Sequence, residues 1–203
     1  MNGAYRFMGR IWRLVNDWAE RFDPEWSANA AGEAEANPKA KALRRKTHQT
    51  VRKVGEDIDK FAFNTAVAAL MEMTNEMYSF VQTLGAGEKS AAMSEAVEML
   101  VLLVSPMVPH IADELWEVLG KQGFTIDQQW PDYDAEVAKA DEVEVVAQVN
   151  GRVRDKMVFP ADIDEESLKE AVLASEKIKA EIQGKSIVKV ITVPGKLVNI
   201  VVK

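Results

Sequence analysis

Residues 61–81 carry Phe61, Phe63, Ala66, Val67, Leu70, Met71, Met73, Met77, Tyr78, Phe80 and Val81, with neither Gly nor Pro between them. Wound into a helix, these side chains point in nearly every direction, and a helix apolar all round must be enclosed by others. At about 1.5 Å per residue it would be roughly 30 Å long, the length of a small bundle. Asn64 is a suitable N-cap, and Gly85-Ala86-Gly87 ends the run. The stretch therefore predicts the central helix of a helical bundle.

Other segments supply its neighbours. Phe7, Ile11, Leu14 and Trp18 recur at spacings of three and four, which predicts an amphipathic helix over residues 4–22. Arg6, Arg10 and Arg13 repeat on a separate stripe of it. Residues 23–38 show no useful period and contain two prolines, and read as a loop. Residues 39–61 return to a helical period, with Leu43, Thr47, Thr50 or Val51, Val54 and Ile58 inward. The first half of that helix is basic (Lys39, Lys41, Arg44, Arg45, Lys46, Arg52, Lys53) and the acids Glu56, Asp57 and Asp59 come last. This order opposes the helix dipole, so an anionic partner is one gain that would offset it. Two more helices are expected over residues 89–104 and 110–119, the second with Pro109 in its first turn and Gly120 after its end. His110 reads as a packing and capping residue.

From Val143 the period changes to two, and Asn150-Gly151 is a strong hairpin signal. A two-residue turn would set Val149 opposite Arg152. A three-residue loop with a bulge would pair Val149 with Val153, Val145 with Met157 and Val143 with Phe159, placing Arg152, Arg154 and Lys156 together on the outer face. The hydrophobic pattern favours the second register. Two short helices follow, capped by Asp164 and Ser175. Two strands joined through Pro194-Gly195 complete a small α+β domain of order β-β-α-α-β-β. The expected organisation is a mainly α helical bundle over residues 1–134, a flexible tether over 135–142 and the α+β domain over 143–203.

Charge must be read by region. Residues 1–120 carry 13 basic and 17 acidic side chains, residues 121–142 carry 2 and 6, and residues 143–203 carry 10 and 9. The overall net charge of −7 therefore does not exclude a nucleic-acid partner. The chain has no cysteine and two distant histidines, which argues against disulfides, thiol catalysis and a histidine-based metal site. No apolar run approaches the ~20 residues needed to cross a bilayer, and no signal-peptide pattern follows Met1, so a cytoplasmic protein is expected. No nucleophile elbow, phosphate-binding glycine loop or dinucleotide signature occurs. On residues alone this is a two-module binding protein with basic stripes.

Particular motifs go further. Phe63-Asn64-Thr65-Ala66-Val67-Ala68-Ala69-Leu70-Met71-Glu72 after the basic helix resembles the helical bundle of class I aminoacyl-tRNA synthetases. So does Pro106-Met107-Val108-Pro109-His110-Ile111-Ala112-Asp113-Glu114-Leu115-Trp116 followed by Trp130-Pro131. Val146-Ala147-Gln148-Val149-Asn150-Gly151-Arg152-Val153-Arg154 and Val193-Pro194-Gly195-Lys196-Leu197-Val198-Asn199-Ile200-Val201 resemble the C-terminal domain of bacterial leucyl-tRNA synthetases. The resemblance implies the C-terminal part of a larger enzyme that joins leucine to tRNA with ATP and magnesium. It implies a bundle of the anticodon-binding type, and a small domain reaching the tRNA elbow. The family's ATP-site signatures do not occur here, so the segment itself is expected to hold no catalytic residue, metal or cofactor. Its implied partners are tRNA(Leu) and the catalytic and editing domains of the same enzyme, and it is expected to be monomeric. The residues expected to meet tRNA, chosen on charge and geometry, are Arg152, Arg154, Lys156, Lys185, Lys189, Lys196, Arg6, Arg10, Arg13, Arg44, Arg45 and Arg52. The competing reading is a helical-bundle adaptor that binds proteins.

Overall fold

The structure is a computed structural model and describes residues 2–139, 142–161 and 163–203. The chain divides into two compact units, Met1–Ala138 and Lys139–Lys203, each with its own buried cluster. The division falls inside the 135–142 stretch expected as a tether. Residues 140 and 141 of that stretch lie outside the described residues.

The first unit contains α1 (Asn2–Trp18), α2 (Trp26–Ala36), α3 (Pro38–Asp59), α4 (Phe63–Val81), α5 (Ala91–Val104) and α6 (Pro109–Val118). The α1 stripe of Phe7, Ile11, Leu14 and Trp18 is buried as its spacing requires. Asn37 caps α3 by accepting from the Lys39 amide, with Pro38 in the first turn. Gly120 follows α6 with φ 74°, a left-handed terminator.

Four expectations for this unit are corrected. The helix wrapped on all sides is α5, not α4: residues 91–97 and 100–104 are buried. In α4 only Ala66, Leu70, Met73, Thr74, Met77 and Phe80 are buried, an ordinary inward stripe. Of its other apolar positions, Val67, Ala69, Met71, Tyr78 and Val81 are only partly buried against the core, and Phe63 at the helix start is 43% exposed. The helix begins at Phe63 with Ala62 before it, so Asn64 is inside the first turn and is not the cap. The third correction is α2, which occupies part of the expected loop. It packs through Ala30 and Ala34, which lie against α5 and α3. Close approach of a small-residue face leaves no periodic stripe of large side chains to read. His110 is exposed, which removes its packing role.

The second unit is a four-stranded sheet of β1 (Glu142–Val149), β2 (Arg152–Pro160), β3 (Ile187–Val193) and β4 (Leu197–Val202) in the order β2-β1-β4-β3. Strand β1 runs antiparallel to β2 and parallel to β4. Helices α7 (Glu165–Ala174) and α8 (Glu176–Ile182) cover one face, where Leu168, Val172 and Ile178 meet Val145, Ala147, Val149, Phe159, Val198 and Ile200. Asp164 caps α7 through the Glu166 and Ser167 amides.

The hairpin register is half as expected. Val145 pairs with Met157 and Val143 with Phe159, but Val149 pairs with Arg152. The turn therefore has two residues, Asn150 at φ 48° and Gly151 at φ 77°, the paired left-handed geometry of a type I′ turn. The extra residue is a bulge at Arg154, inside β2. The turn is held from the side: Asn150 Nδ2 donates to the Val202 carbonyl and its Oδ1 accepts the Val202 amide (3.1 and 2.9 Å). The Gly151 amide donates to Asn199 Oδ1. These contacts continue the β1–β4 pairing past the strand end and select the shorter turn.

Candidate nucleic-acid interface

Helix α3 carries the densest run of cations, and packing divides them. Its inward face brings Arg44 and His48 against α5. Arg44 Nε and Nη2 donate to the Glu95 carboxylate at 2.6 and 3.2 Å, and His48 Nε2 lies 3.0 Å from the other side of it. His48 Nδ1 accepts the Asp134 amide, so the ring proton sits on Nε2 and is aimed at Glu95. Burial alone would raise the Glu95 carboxyl. The hydrogen bonds from His48 and Arg44 and the Arg44 charge outweigh it and leave the pKa below its ordinary value of 4.5. Gln49 holds the same downstream segment by donating to the carbonyl of buried Ala138. Arg44 is thus a structural cation with 14% of its side chain exposed. No residue pattern distinguishes it from its neighbours, because its partner lies 51 positions away.

The outward face of α3 forms a groove with α4, lined by Lys46, Gln49, Thr50, Arg52, Lys53, Thr65 and Glu72. Lys46 pairs with Glu72 (2.6 Å) and Lys53 with Asp57 on its own helix. Arg52 is exposed, with its guanidinium 5.9 Å from the Tyr133 ring centre. Hydrogen bonds from Lys53 and Thr65 hold the Asp57 carboxyl below its ordinary value. Lys46 and Lys53 were not among the expected contacts. Only the packing of α4 beside α3 shows that they share a groove with Arg52.

The α1 stripe is also divided. Arg10 donates to Asn75 at 2.6 Å and lies 5.2 Å from the Tyr78 ring centre. Arg6 and Arg45 each have an interaction partner within the protein. Arg13 is exposed.

In the second unit the displaced bulge corrects the expected three-cation face. Arg154 sits at the bulge and reaches Glu181 on α8 at 3.3 Å, on the helix-covered side. Its neighbour Asp155 turns the same way, meeting Ser175 and Lys177, whose hydrogen bonds lower its pKa. Arg152 is level with inward Val149, while Lys156 is level with outward Val146 and pairs with Glu144 at 2.8 Å. The uncovered sheet face instead carries exposed Val153, Val158, Ile191 and Val193. Lys156 and Lys189 stand on it from opposite edge strands. Lys185 donates to the Glu181 carbonyl, and Lys196 is exposed in the turn before β4.

Residues 40–186 match the sequence profile of the family described as the anticodon-binding domain of tRNA ligase, nearly three quarters of the chain. The chain belongs to that family. The match takes in α3, its groove with α4 and the first hairpin together.

The chain is 45% identical to a leucine–tRNA ligase of Thioalkalivibrio sulfidiphilus and 43% identical to that of Syntrophus aciditrophicus. Both alignments cover all of this chain and 24% of the relative, so the chain spans about a quarter of the length of the curated ligases it matches. Among solved structures it resembles Agrobacterium radiobacter K84 agnB2 LeuRS in a ternary complex with tRNA and LeuAMS. The TM-score is 0.78 at 25% identity, over 99% of this chain and 25% of that one. The order of bundle and α+β domain expected from the motifs agrees with this neighbour.

Proposed function

We propose that this chain is the tRNA-holding part of a leucine–tRNA ligase and makes no covalent bond itself. The observation that carries the reading is the alignment of its entire length with one quarter of leucine–tRNA ligases. The remaining three quarters of such an enzyme would bind ATP and leucine. Among the described residues no group of three or more His, Cys, Asp or Glu is placed to hold a metal ion. The partners in this reading are tRNA(Leu) and the catalytic and editing domains, the whole enzyme being a cytoplasmic monomer. No helix among the described residues is long and apolar enough to cross a membrane.

Within the segment, the exposed cations Arg13, Arg52, Arg152, Lys189 and Lys196 are the phosphate contacts. The side chains of Arg44, Arg154 and Lys156 serve internal ion pairs first. The uncovered sheet face meets the tRNA elbow, its apolar centre against base and sugar surface and Lys189 on its edge strand toward phosphate. Each phosphate contact contributes roughly 0.7 to 0.9 to the slope of log affinity against log salt. Arg52→Ala/Arg152→Ala/Lys189→Ala should therefore flatten the slope for tRNA(Leu) by about two units. An unchanged slope, or salt-insensitive binding by the unsubstituted chain, refutes the assignment and favours a protein-binding adaptor.

A further inference from the structure

Residues 134–138 form one capped turn at the end of the first unit, and two adjacent side chains of α3 hold its two ends. Asp134 Oδ1 receives the Glu136 and Val137 amides (2.8 and 3.2 Å), and the Asp134 carbonyl receives the Ala138 amide at 3.0 Å. The Asp134 amide donates to Nδ1 of buried His48 at 3.0 Å. At the other end Gln49 Nε2 donates to the Ala138 carbonyl at 2.9 Å. The second unit begins at the next residue, Lys139.

The fastening at Asp134 has a chemical condition. An imidazole nitrogen accepts a hydrogen bond only while it carries no proton. With Nδ1 facing an amide N–H and Nε2 facing Glu95, only the neutral ring with its proton on Nε2 satisfies both partners. A second proton would sit on Nδ1 and meet the Asp134 N–H donor to donor. Attachment of the turn and protonation of His48 therefore exclude each other. Around the ring stand Glu95 from α5, Arg44 from its own helix and Asp134 from the turn. The Val137 and Glu136 amides hold the Asp134 carboxyl below its ordinary value of 3.8. Glu95, despite its burial, is held below 4.5 by His48 and Arg44. Both carboxylates are ionised where histidine ordinarily exchanges its proton, between about pH 5 and 8. A ring freed from the turn would take up its proton beside the charge of Glu95.

We propose that His48 and Gln49 form a proton-sensitive clasp on the chain leading to the second unit, closed on Asp134–Ala138 while His48 is neutral and opened by protonation at Nδ1. Opening frees five residues, which at about 3.4 Å each lengthen the tether by up to roughly 17 Å. The attached state binds one proton fewer than the released state. Attachment therefore weakens as pH falls, at most about tenfold per unit of pH. The clasp uses none of the residues proposed to contact phosphate, and its test needs no tRNA.

Amide hydrogen exchange followed by NMR in the 203-residue chain tests this, with each rate normalised to an unstructured chain at the same pH. Protection of the Asp134 and Ala138 amides should fall by about tenfold or more from about pH 8 to about pH 5.5. The His48 ring nitrogens should titrate over the same interval, while Val51 and Val54 in α3 keep their protection. His48→Asn sets near the place of Nδ1 an oxygen that takes up no proton, so the turn should stay protected at both pH values. His48→Gln sets its amide near the place of Nε2, still able to donate to Glu95, and leaves the Asp134 N–H without its acceptor. Protection of the turn should then be low at both. Protection that does not change with pH in the unsubstituted chain overturns the clasp. A parallel loss in α3 overturns it too, because the bundle would then be opening as a whole. The same pH dependence in His48→Asn assigns the transition to another group and removes His48 from it.

Discussion

Replacing Glu95 by glutamine removes one charge from the middle of the bundle and changes its shape hardly at all. The carboxylate is 2% exposed and is held by Arg44 through two nitrogens and by His48. Glutamine leaves Arg44 charged, only 14% exposed and facing a neutral amide. Removing one partner of a buried pair costs about 3–5 kcal/mol, much of it the stranded charge. The small solvent access of Arg44 places the expected loss near the lower end, about 3 kcal/mol. Glu95→Gln/Arg44→Met should recover most of that loss, since no charge is then stranded. All five tryptophans lie at or before position 130, so urea unfolding followed by tryptophan fluorescence reports the first unit alone. The acid limb supplies a second readout. The Glu95 pKa is lower folded than unfolded, so the unfolded chain takes up the proton first as pH falls. Its stabilisation is present above the ordinary value of 4.5 and is lost as pH drops through the lower folded value. Glu95→Gln should lose that part of the acid dependence. A loss under about 1 kcal/mol, with no recovery in the double variant, would refute the buried-pair argument.

Two further outcomes follow from the corrected elements. Asn150→Ala removes two side-chain bonds to Val202 and puts alanine at φ 48°, so the second unit should lose about 1–3 kcal/mol, with faster amide exchange at Val202; unchanged exchange at Val202 would show that the turn does not depend on this clamp. Ala30→Leu forces three extra carbons into the α2 contact with α5 and α3, where Ala30 is 1% exposed, and should cost about 1–3 kcal/mol in tryptophan-monitored unfolding; a neutral effect would contradict close packing of that face.

Local rules carried much of the fold into view. Spacings of three and four set the buried stripes of α1 and α3, Pro109 and Gly120 bracket α6, and Asp164 caps α7, because each depends on residues within a turn or two. Alternation from Val143 onward separates the sheet from the bundle for the same reason. The motifs of the hairpin and the last strand pair carried the family resemblance, since their residues lie close together in sequence. What the sequence left undecided depends on distant partners. Helix α2 exists because alanines allow close approach to α5, which no local period displays. Helix α5 lies at the centre of the bundle, and α4 to one side, because of how the other helices surround them. The hairpin turn is short because Asn150 and Asn199 clamp it to the end of β4, about fifty residues away, and that moves the bulge and turns Arg154 toward Glu181. A list of cations can be read from a sequence. Which of them meet a buried carboxylate, and which stand in solvent, is decided only when the chain packs.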